Sequence, residues 1–313
     1  MSSTGTQALR DYLQAVRDEV EAALGRALPA PPQCPAVVAD AMRYSLLAGG
    51  KRFRPVLVLA SADAVAPGSA RARQLAMPAA CAIEMIHTYS LIHDDLPAMD
   101  NDTLRRGKPT LHVVHGEGMA ILAGDGLLAE AFALLAREPA DAGDGVMAAR
   151  KLDVIRRVAD AAGSVGMVGG QAIDLCAAGH ARGAGALDAA ALRDMHARKT
   201  GALIRVSAVS GAIMAGGTPA QVQAIDQYAA GLGLAFQIVD DVLDVIGDGD
   251  QMGKTLGKDA AADKPTYPAL FGLEASKRLA QEAAASAVAA LARERLERSR
   301  LADIAHWVVS RTS

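Results

Sequence analysis

The chain has 313 residues, of which 51% are hydrophobic, 21% charged and only 3% aromatic. Its 32 lysines and arginines are balanced by 35 aspartates and glutamates, so it lacks the basic excess by which proteins bind nucleic acids generally. Three cysteines without a CxxC pair do not suggest a disulfide framework, and charged residues near the N-terminus stand where a signal peptide needs an apolar run. We therefore expect a cytoplasmic protein with no nucleic-acid partner and no membrane span.

Alanine-rich segments with apolar residues three and four positions apart recur along the whole chain, a pattern typical of packed helices. In chain order, the predicted helices cover residues 7–24, 35–47, 71–95, 118–136, 147–165, 188–214, 220–246 and 275–309. The run from Pro55 to Leu59 stays open between strand and helix. Length alone allows two domains, but no linker divides the sequence. The prediction is an all-α fold with a single domain, residues 1–313, of about ten or more helices.

Two of the apolar helices end in clustered aspartates, which a packed core rarely tolerates without partners. The cluster that comes second along the chain consists of Asp240, Asp241 and Asp244. At about 100° per residue, positions 240 and 244 lie one turn apart on one helix face, and position 241 flanks them. Carboxylates this close repel one another and raise one another's pKa unless a cation is bound between them.

The first cluster, Asp94, Asp95 and Asp100, has a different spacing. An unbroken helix would turn Asp100 away from Asp94, but Pro97 ends the helix and lets a loop bring Asp100 back. The helix dipole makes a C-terminus an unfavourable place for acids, so two such clusters indicate a function rather than simple solvent exposure. Carboxylate oxygens of this kind suit Mg²⁺, which binds one or two carboxylates together with substrate phosphates.

Basic residues stand in loops beside these acids, as a bound diphosphate requires. Arginine can bind a phosphate through two parallel hydrogen bonds, and lysine supplies a compact charge. A single basic loop residue is ordinarily a solvated surface group, and the informative feature is the repeated position next to helix ends and acids. The residues are Lys51 and Arg54 after Gly49-Gly50, then Arg105, Arg106 and Lys108, then Lys199, and finally Lys254, Lys258 and Lys264.

These motifs, in this order, resemble those of the short-chain trans-isoprenyl diphosphate synthases, and most closely those of the bacterial farnesyl diphosphate synthases. The likeness runs from about residue 35 to the C-terminus and is most specific in residues 49–55, 84–110, 169–174, 199–205 and 236–270. The resemblance implies an all-helical bundle around a deep central cavity, the isoprenoid synthase fold. It also implies a homodimer and places the catalytic motifs within about residues 49–264.

The resemblance further implies roles for individual residues. The implied metal ligands are Asp94, Asp95, Asp100, Asp240, Asp241 and Asp244. The residues implied to bind isopentenyl diphosphate are Gly50, Lys51, Arg54, His87 and Arg106. Those implied to bind the allylic diphosphate are Arg105, Lys199, Thr200, Gln237, Lys254 and Lys264. The residues implied in catalysis itself are Lys199, Thr200, Gln237, Asp94 and Asp240.

The implied reaction joins isopentenyl diphosphate head to tail to dimethylallyl or geranyl diphosphate, giving mainly farnesyl diphosphate and pyrophosphate. The expected cofactor is Mg²⁺, three ions per active site with Mn²⁺ as an alternative, which neutralises the leaving diphosphate as a Lewis acid. The allylic C–O bond ionises, the double bond of isopentenyl diphosphate attacks the cation, and a proton leaves with pyrophosphate as the base. An apolar pocket keeps water away from the cation.

Product length is expected to depend on the floor of this pocket, below Asp94. Tyr89 and Ser90 lie five and four positions before Asp94, and Ile86 lies eight positions before it. An aromatic residue followed by a small one resembles the pattern of farnesyl-producing bacterial enzymes. The alternative is that Tyr89 is simply a core residue.

Three alternatives stay open at this point. Within the same class, geranyl or geranylgeranyl diphosphate are alternative main products. A class I terpene cyclase also ionises an allylic diphosphate in an all-α fold, but it does not need Lys51, Arg54 and His87 together. A non-catalytic regulatory subunit of a prenyl synthase is expected to have a degraded acidic cluster, and both clusters are intact.

Overall fold

The structure, a computed structural model, describes residues 3–140, 144–179, 181, 187–246 and 266–311. Nearly all regular structure in these residues is helical, which confirms the predicted all-α class. The α-helices are α1 (Ser3–Ala27), α2 (Ala36–Leu46), α3 (Phe53–Val65), α4 (Ala70–Asp94), α5 (Leu111–His115), α6 (Glu117–Arg137), α7 (Gly145–Ala162), α8 (Met167–Ala177), α9 (Ala189–His196), α10 (Ala202–Met214), α11 (Pro219–Ile246), α12 (Tyr267–Phe271), α13 (Leu273–Ala292) and α14 (Arg300–Ser310). A π-helical turn, Ala197–Gly201, joins α9 to α10. Two short antiparallel strands, β1 (Leu104–Arg105) and β2 (Lys108–Pro109), form a hairpin between α4 and α5.

Polar side chains determine where several helices begin. The residues that accept a hydrogen bond from a backbone N–H in the first turns of α4, α7, α9 and α12 are Ser69, Asp144, Asp188 and Thr266, respectively. These caps satisfy N–H groups that have no carbonyl partner inside the helix. Hydrophobic periodicity therefore locates the helices, and the caps set their first residues.

The C-terminal region differs from the sequence prediction. Residues 275–309, predicted as one helix, form two, because α13 ends at Ala292 and α14 begins at Arg300. Arg295 lies between them with a left-handed backbone (φ 59°), a conformation that a right-handed helix cannot contain. The hydrophobic period continues across the break, which is why the sequence pattern did not detect it.

The ambiguous run from Pro55 to Leu59 is helical and lies in α3. Pro55 is tolerated because it occupies the first turn, where a missing N–H removes no helical hydrogen bond. Three further helices, α5, α8 and α12, were not predicted. Helices α5 and α12 have 5 residues each, too few for hydrophobic periodicity to identify them, and the apolar pattern of the 11-residue α8 is interrupted by Gly169-Gly170.

Helices α3, α4, α10 and α11 form the centre of the bundle, and α6, α7 and α13 pack around them. Every residue of α10 from Val206 to Met214 is buried. Where α10 crosses α3, a Cβ built on Gly211 would lie 1.9 Å from the carbonyl oxygen of Val58. Glycine is therefore what lets the two backbones approach this closely.

Two helices, α4 and α6, are long and apolar enough to cross a membrane by length and composition alone. The apolar window of α4 is 72% buried inside the bundle, so its hydropathy is that of a core helix. In α6 the buried share is only 39%, and large apolar side chains such as Ile121 and Leu122 are exposed. Packing within one chain therefore does not account for the apolar character of α6.

We expect Gly211→Ala to lower the free energy of unfolding by about 1–3 kcal/mol, because the added methyl group overlaps a backbone carbonyl that has no rotamer to relieve the clash. Chemical denaturation followed by circular dichroism measures the change. Gly25→Ala in α1 is the matched control, since an added Cβ there meets nothing within 4 Å. The control should stabilise the protein by about 0.5 kcal/mol, and equal effects of the two substitutions would contradict the backbone crossing.

Candidate functional site

The chain turns back on itself directly after α4, at the first acidic cluster. The helix ends at Asp94, and the N–H of Asp100 donates to the Asp94 carbonyl oxygen at 2.9 Å. A second backbone hydrogen bond follows, in which the N–H of Asp102 donates to the carbonyl oxygen of Asp95 at 3.1 Å. Asn101 takes a left-handed conformation (φ 52°) within this reversal. The backbone of Asp100 therefore lies beside that of Asp94, as the spacing around the proline predicts.

The hairpin that follows holds Asp95. Arg106 and Gly107 have positive φ angles (54° and 73°) and form its two-residue turn, the backbone type that tight hairpins prefer. On β1, Arg105 donates to both carboxylate oxygens of Asp95 at 2.6–2.9 Å. Asp95 is only 4% exposed, so the two charges compensate each other away from water. Arg105, which we expected at the allylic diphosphate, thus binds an acid of the first cluster in this structure.

Asp94 has an unusually high proton affinity. Burial raises the pKa of its carboxyl to about 6; Lys199 and Arg105 oppose the rise, and the charges of Asp100 and Asp95 add to it. Lys199 is distant from Asp94 along the chain, so its charge acts on Asp94 only because the fold places the π turn near the end of α4. The structure therefore brings the first acidic cluster and the predicted catalytic lysine together.

Lys199 projects from the π turn, and its ammonium group is ion-paired with Asp174 of α8. Burial alone would lower the pKa of Lys199, but Asp174 and the acids of the first cluster raise it, so the lysine is cationic. A Cβ on Gly170 would lie 2.2 Å from the backbone nitrogen of Lys199, so only glycine lets α8 lie against the turn. Thr200 follows in the same turn and is partly buried. π turns of this kind are frequent at functional sites.

The second acidic cluster lies in the last turns of α11. Asp241 is 5% exposed and accepts hydrogen bonds on both oxygens, from Gln237 Nε2 at 2.9 Å and from the backbone N–H of Tyr267 at 3.0 Å. Gln237, a predicted catalytic residue, is therefore fixed by the acid one turn further along the helix. Asp244 is partly buried one turn beyond Asp240. The fold thus orients Asp241 from two sides before any ligand binds.

Asp240 is bound by a residue close to the C-terminus of the chain. Arg311, just after α14, donates to Asp240 Oδ1 at 2.9 Å, and its side chain is 3% exposed. The guanidinium of Arg311 also lies 4.2 Å from the ring centroid of Phe236. Asp240 further acts on the pKa of Arg54, which places the start of α3 near the second cluster.

The predicted isopentenyl diphosphate residues converge around the start of α3 and the hairpin turn. Gly50 has φ 131°, and a Cβ there would meet the guanidinium of Arg106 at 2.6 Å. Lys51 is exposed, whereas Arg54 Nε is buried without a hydrogen-bond partner. Burial and a group of arginines lower the pKa of His87 well below its ordinary value, so the ring is neutral. Those arginines are Arg54, Arg106, Arg105 and Arg52.

The three residues expected at the pocket floor follow α4 toward its N-terminus. Ile86 is fully buried and Tyr89 is 8% exposed. The Tyr89 ring packs edge-to-face on His93, with 5.6 Å between ring centroids. The hydroxyl of Ser90 donates to the carbonyl oxygen of His87 at 2.9 Å. The remaining two predicted site residues, Lys254 and Lys264, lie outside the described residues.

Comparison with known proteins assigns the chain to a family. Residues 35–302 match the family described as polyprenyl synthetase. The chain belongs to this family. The polyprenyl synthetase match covers every site residue named above except Arg311.

Relatives of this polyprenyl synthetase include enzymes with different product names. The chain is 45% identical over 304 residues to a dimethylallyltranstransferase of Fischerella ambigua, covering 97% of this chain and 84% of the relative. It is 47% identical over 269 residues to a farnesyl diphosphate synthase of Geobacillus stearothermophilus, covering 86% of each. It is 45% identical over 273 residues to a geranylgeranyl diphosphate synthase of Cyanophora paradoxa, covering 87% and 86%. The crystal structure of an apo FPP/GFPP synthase from Zymomonas mobilis matches with a TM-score of 0.80 at 36% identity, over 97% of this chain and 99% of that chain.

These matches confirm the family inferred from the motifs and the isoprenoid synthase fold. The polyprenyl synthetase is a prenyltransferase of isoprenoid biosynthesis, a short-chain prenyl diphosphate synthase. Product length differs among the names of the relatives, so it is not assigned by the comparison.

Three charged residues beside the site were not predicted. Asp174 pairs with Lys199, Arg311 pairs with Asp240, and Glu84 is buried next to Arg54. Asp174 carried a sequence signal, since it ends one of the segments where the family likeness is most specific. Arg311 carried none, because its partner lies 71 positions away in sequence.

His196 is the last residue of α9 and lies three residues before Lys199 of the π turn. Its ring stacks on Tyr267 with 5.8 Å between centroids, and its Nδ1 atom is buried without a hydrogen-bond partner. Burial lowers the pKa of His196 from 6.5 to about 4; the charge of Asp174 opposes this shift and that of Lys199 adds to it. The ring is therefore neutral in the folded protein at neutral pH.

We expect this histidine to make the protein less stable at mildly acidic pH. Because the pKa of His196 is lower in the folded protein, its contribution to stability is full above pH 6.5 and is lost as the pH falls toward about 4. Between pH 7.5 and pH 5.5 the loss should be about 1 kcal/mol. Urea denaturation of wild type and His196→Asn at the two pH values measures it, with the exposed His306→Asn as control. An equal pH-dependent loss in wild type and His196→Asn would contradict the neutral buried ring.

Proposed function

We propose that this enzyme condenses isopentenyl diphosphate with dimethylallyl or geranyl diphosphate and makes mainly farnesyl diphosphate. The observation that carries the proposal is the presence of two separate cationic groups beside the acids. One consists of Arg54 and Arg106 around His87, with Lys51 in the adjoining loop, and the other centres on Lys199 near Asp94. Two diphosphate substrates need two such groups, whereas a terpene cyclase needs only one.

The group around His87 would bind isopentenyl diphosphate. Arg54 Nε is buried without a hydrogen-bond partner, so a diphosphate oxygen would satisfy a donor that the protein leaves unsatisfied. His87 is neutral, so its ring can donate one hydrogen bond without adding to the repulsion among the arginines. Gly50 would let the diphosphate approach the backbone closely.

The allylic diphosphate would bind between the two acidic clusters. Lys199 and Thr200 would contact it from the π turn, and Arg105 from the hairpin. Lys254 and Lys264 are further proposed ligands in the part of the chain that the structure does not describe. Buried, preorganised cations stabilise a leaving diphosphate more strongly than solvated ones.

Both acidic clusters have the donor chemistry of a Mg²⁺ site. Among the described residues, no three acidic, histidine or cysteine side chains lie close enough to hold a metal alone. That arrangement fits Mg²⁺, which combines a few carboxylates with water and substrate phosphate oxygens. The proposed ligands are Asp94, Asp95, Asp100, Asp240, Asp241 and Asp244. Three Mg²⁺ ions, or Mn²⁺ in their place, would supply Lewis-acid neutralisation of the diphosphate when bound.

Protein side chains would then guide the reacting carbon atoms. Gln237 uses its amide nitrogen on Asp241, which leaves its oxygen as the atom to face the developing allylic cation. The Thr200 hydroxyl would face the same carbon. The apolar central helices would exclude water from the cation until isopentenyl diphosphate attacks and its proton leaves with pyrophosphate.

We further propose a homodimer in the cytoplasm, with one catalytic domain over residues 1–313. Helices α5 and α6 pack on each other and both expose large apolar side chains. They are Val113, Val114, Ile121 and Leu122. A second copy of the chain covering this face would remove apolar surface from water.

Product length is proposed to depend on the turn of α4 below Asp94. Tyr89 is nearly buried and its pKa is raised by burial and then by Asp94, so the tyrosine lies close to that acid. Ile86 lies one turn deeper. A floor at Tyr89 and Ser90 would stop the chain at farnesyl length, and geranylgeranyl diphosphate is the alternative that a relative's name supports.

Replacing Asp94 or Asp240 with alanine should abolish condensation, with a loss of at least about a hundredfold in kcat, because each would remove charge stabilisation of the leaving group. Product formation from labelled isopentenyl diphosphate and each allylic diphosphate, with and without Mg²⁺, measures this loss and tests the proposed function. Circular dichroism should show unchanged helical content. Asp160→Ala, an exposed acid on α7, is the control and should retain activity. Near-normal rates in Asp94→Ala or Asp240→Ala would refute the metal role.

Ser90→Phe should shorten the main product toward ten carbons, because the larger ring fills space that the growing chain needs. Tyr89→Ala should lengthen it, because the floor is removed. Chromatography of the dephosphorylated products measures both changes. Ser90→Ala, which adds no volume, should keep the wild-type product distribution. Unchanged product lengths in both Ser90→Phe and Tyr89→Ala would show that these residues do not form the floor.

A further inference from the structure

Arg52 lies between two predicted phosphate-binding residues, Lys51 in the loop before α3 and Arg54 in the first turn of α3, yet its side chain is turned inward. Its side chain has no exposed surface (0%), and its backbone is left-handed (φ 48°). A left-handed residue other than glycine costs about 1 kcal/mol or more, and burying a guanidinium adds a larger desolvation cost. Neighbouring groups must therefore compensate both costs.

Three helices supply that compensation through the guanidinium. Arg52 Nε donates to Glu21 of α1 at 2.7 Å, and Nη1 donates to Glu84 of α4 at 2.8 Å. Arg52 Nη2 donates to the carbonyl oxygen of Leu46, the last residue of α2, at 2.6 Å. Carbonyl groups at a helix end lack a partner within the helix, so this bond also caps α2. All three nitrogen atoms are thus used within the protein, and the side chain is sealed from solvent.

The neighbours of Arg52 in sequence behave differently. Lys51 is exposed, and Arg54 Nε is buried without a hydrogen-bond partner. The guanidinium of Arg106 contacts the carbonyl oxygen of Gly49 in the same loop. Arg52 therefore fastens the loop to α1, α2 and α4, whereas Arg54, in the first turn of α3, keeps a buried donor without a protein partner.

Glu84 is the acid at the centre of this group of cations. It is 2% exposed, one oxygen accepts from Arg52, and the other, Oε2, is buried without a hydrogen-bond partner. Its charge acts favourably on both Arg54 and Arg106. A carboxylate cannot itself bind an anionic diphosphate, so the role of Glu84 differs from that of the arginines. Glu84 offsets the mutual repulsion of the arginines. It also anchors Arg52, and it lies on α4 three residues before His87.

We propose that Arg52 and Glu84 form a buried positioning pair for the isopentenyl diphosphate site, resting on the proposed function of that site. Neither residue contacts substrate. Arg52, fastened to Glu21, Glu84 and the end of α2, holds the loop in the conformation that aims Lys51 and Arg54 at the diphosphate. The pair therefore affects one substrate and not the other, because Lys199 belongs to the π turn and the first acidic cluster lies ten residues beyond Glu84, at the end of α4.

Arg52→Lys tests this role, since lysine keeps the charge but cannot reach three partners in the planar geometry of a guanidinium. Isothermal titration with isopentenyl diphosphate alone measures binding without turnover. Steady-state kinetics give KM for each substrate and kcat. We expect the Kd and KM for isopentenyl diphosphate to rise about tenfold or more, as when binding groups shift by less than 1 Å. The KM for the allylic substrate should stay within about twofold and kcat within about threefold.

Arg73→Gln is the matched control, because Arg73 also joins three elements, including α1 and α4 as Arg52 does, away from the site. It pairs with Glu19 of α1 and Asp63 of α3 from its own place in α4. We expect it to lower the melting temperature without changing either KM. If Arg52→Lys does not fold, Glu21→Gln keeps the Arg52–Glu84 contact and should raise KM for isopentenyl diphosphate alone by about twofold to threefold, the loss of one charge-assisted hydrogen bond at a partly exposed site.

Unchanged binding of isopentenyl diphosphate in folded Arg52→Lys would overturn the positioning role. An equal rise in both KM values, or the same rise in Arg73→Gln, would also overturn it, because general loosening of the bundle would then explain the effect. If the wild-type protein does not bind isopentenyl diphosphate, the proposed function fails and the positioning role fails with it. If the wild-type protein binds isopentenyl diphosphate and the variant binds it equally well, only the positioning role fails and the proposed function stands.

Discussion

A charged group buried in an apolar helical bundle must meet an opposite charge or a set of hydrogen bonds, and this requirement shapes the site. Asp95 is buried against Arg105, and Asp174 is paired with Lys199. Each pair joins two different elements, so charge compensation also determines which helix ends and loops meet.

The same pairing bears on how the site would accept its ligands. Arg105 is bound to Asp95 and Arg311 to Asp240, so acids and cations neutralise each other within the site. In the proposed function, an incoming diphosphate competes for these cations, and cation binding competes for the acids. Substrate and Mg²⁺ binding are then coupled, because each releases a partner that the other needs. A bound cation would stabilise the charged form of Asp94, whose pKa burial raises to about 6.

The sequence predicted the helical class and the loop at the first acidic cluster because both depend on local rules. Apolar periodicity indicates helices, and a proline three residues before the last acid indicates the reversal that returns Asp100 to Asp94. It did not predict the break near Arg295, where the hydrophobic period continues but the backbone turns left-handed. Nor did it predict that Arg311 meets Asp240, since no local pattern records a contact between residues so far apart. The family resemblance implied the roles of the site residues, and only the three-dimensional structure identified the residues with which they pair.

Backbone conformation explains why the site needs so many long-range pairs. Arg52, Asn101 and Arg106 are left-handed although none is glycine, and all three belong to the loops that carry the candidate ligands. Such conformations persist only where the surroundings compensate their cost. Arg52 is held by its three buried hydrogen bonds, and Arg106 by its contact with the carbonyl oxygen of Gly49. The long-range contacts therefore stabilise loop conformations that the local sequence would not adopt by itself. Those conformations determine where the cationic side chains lie in the site.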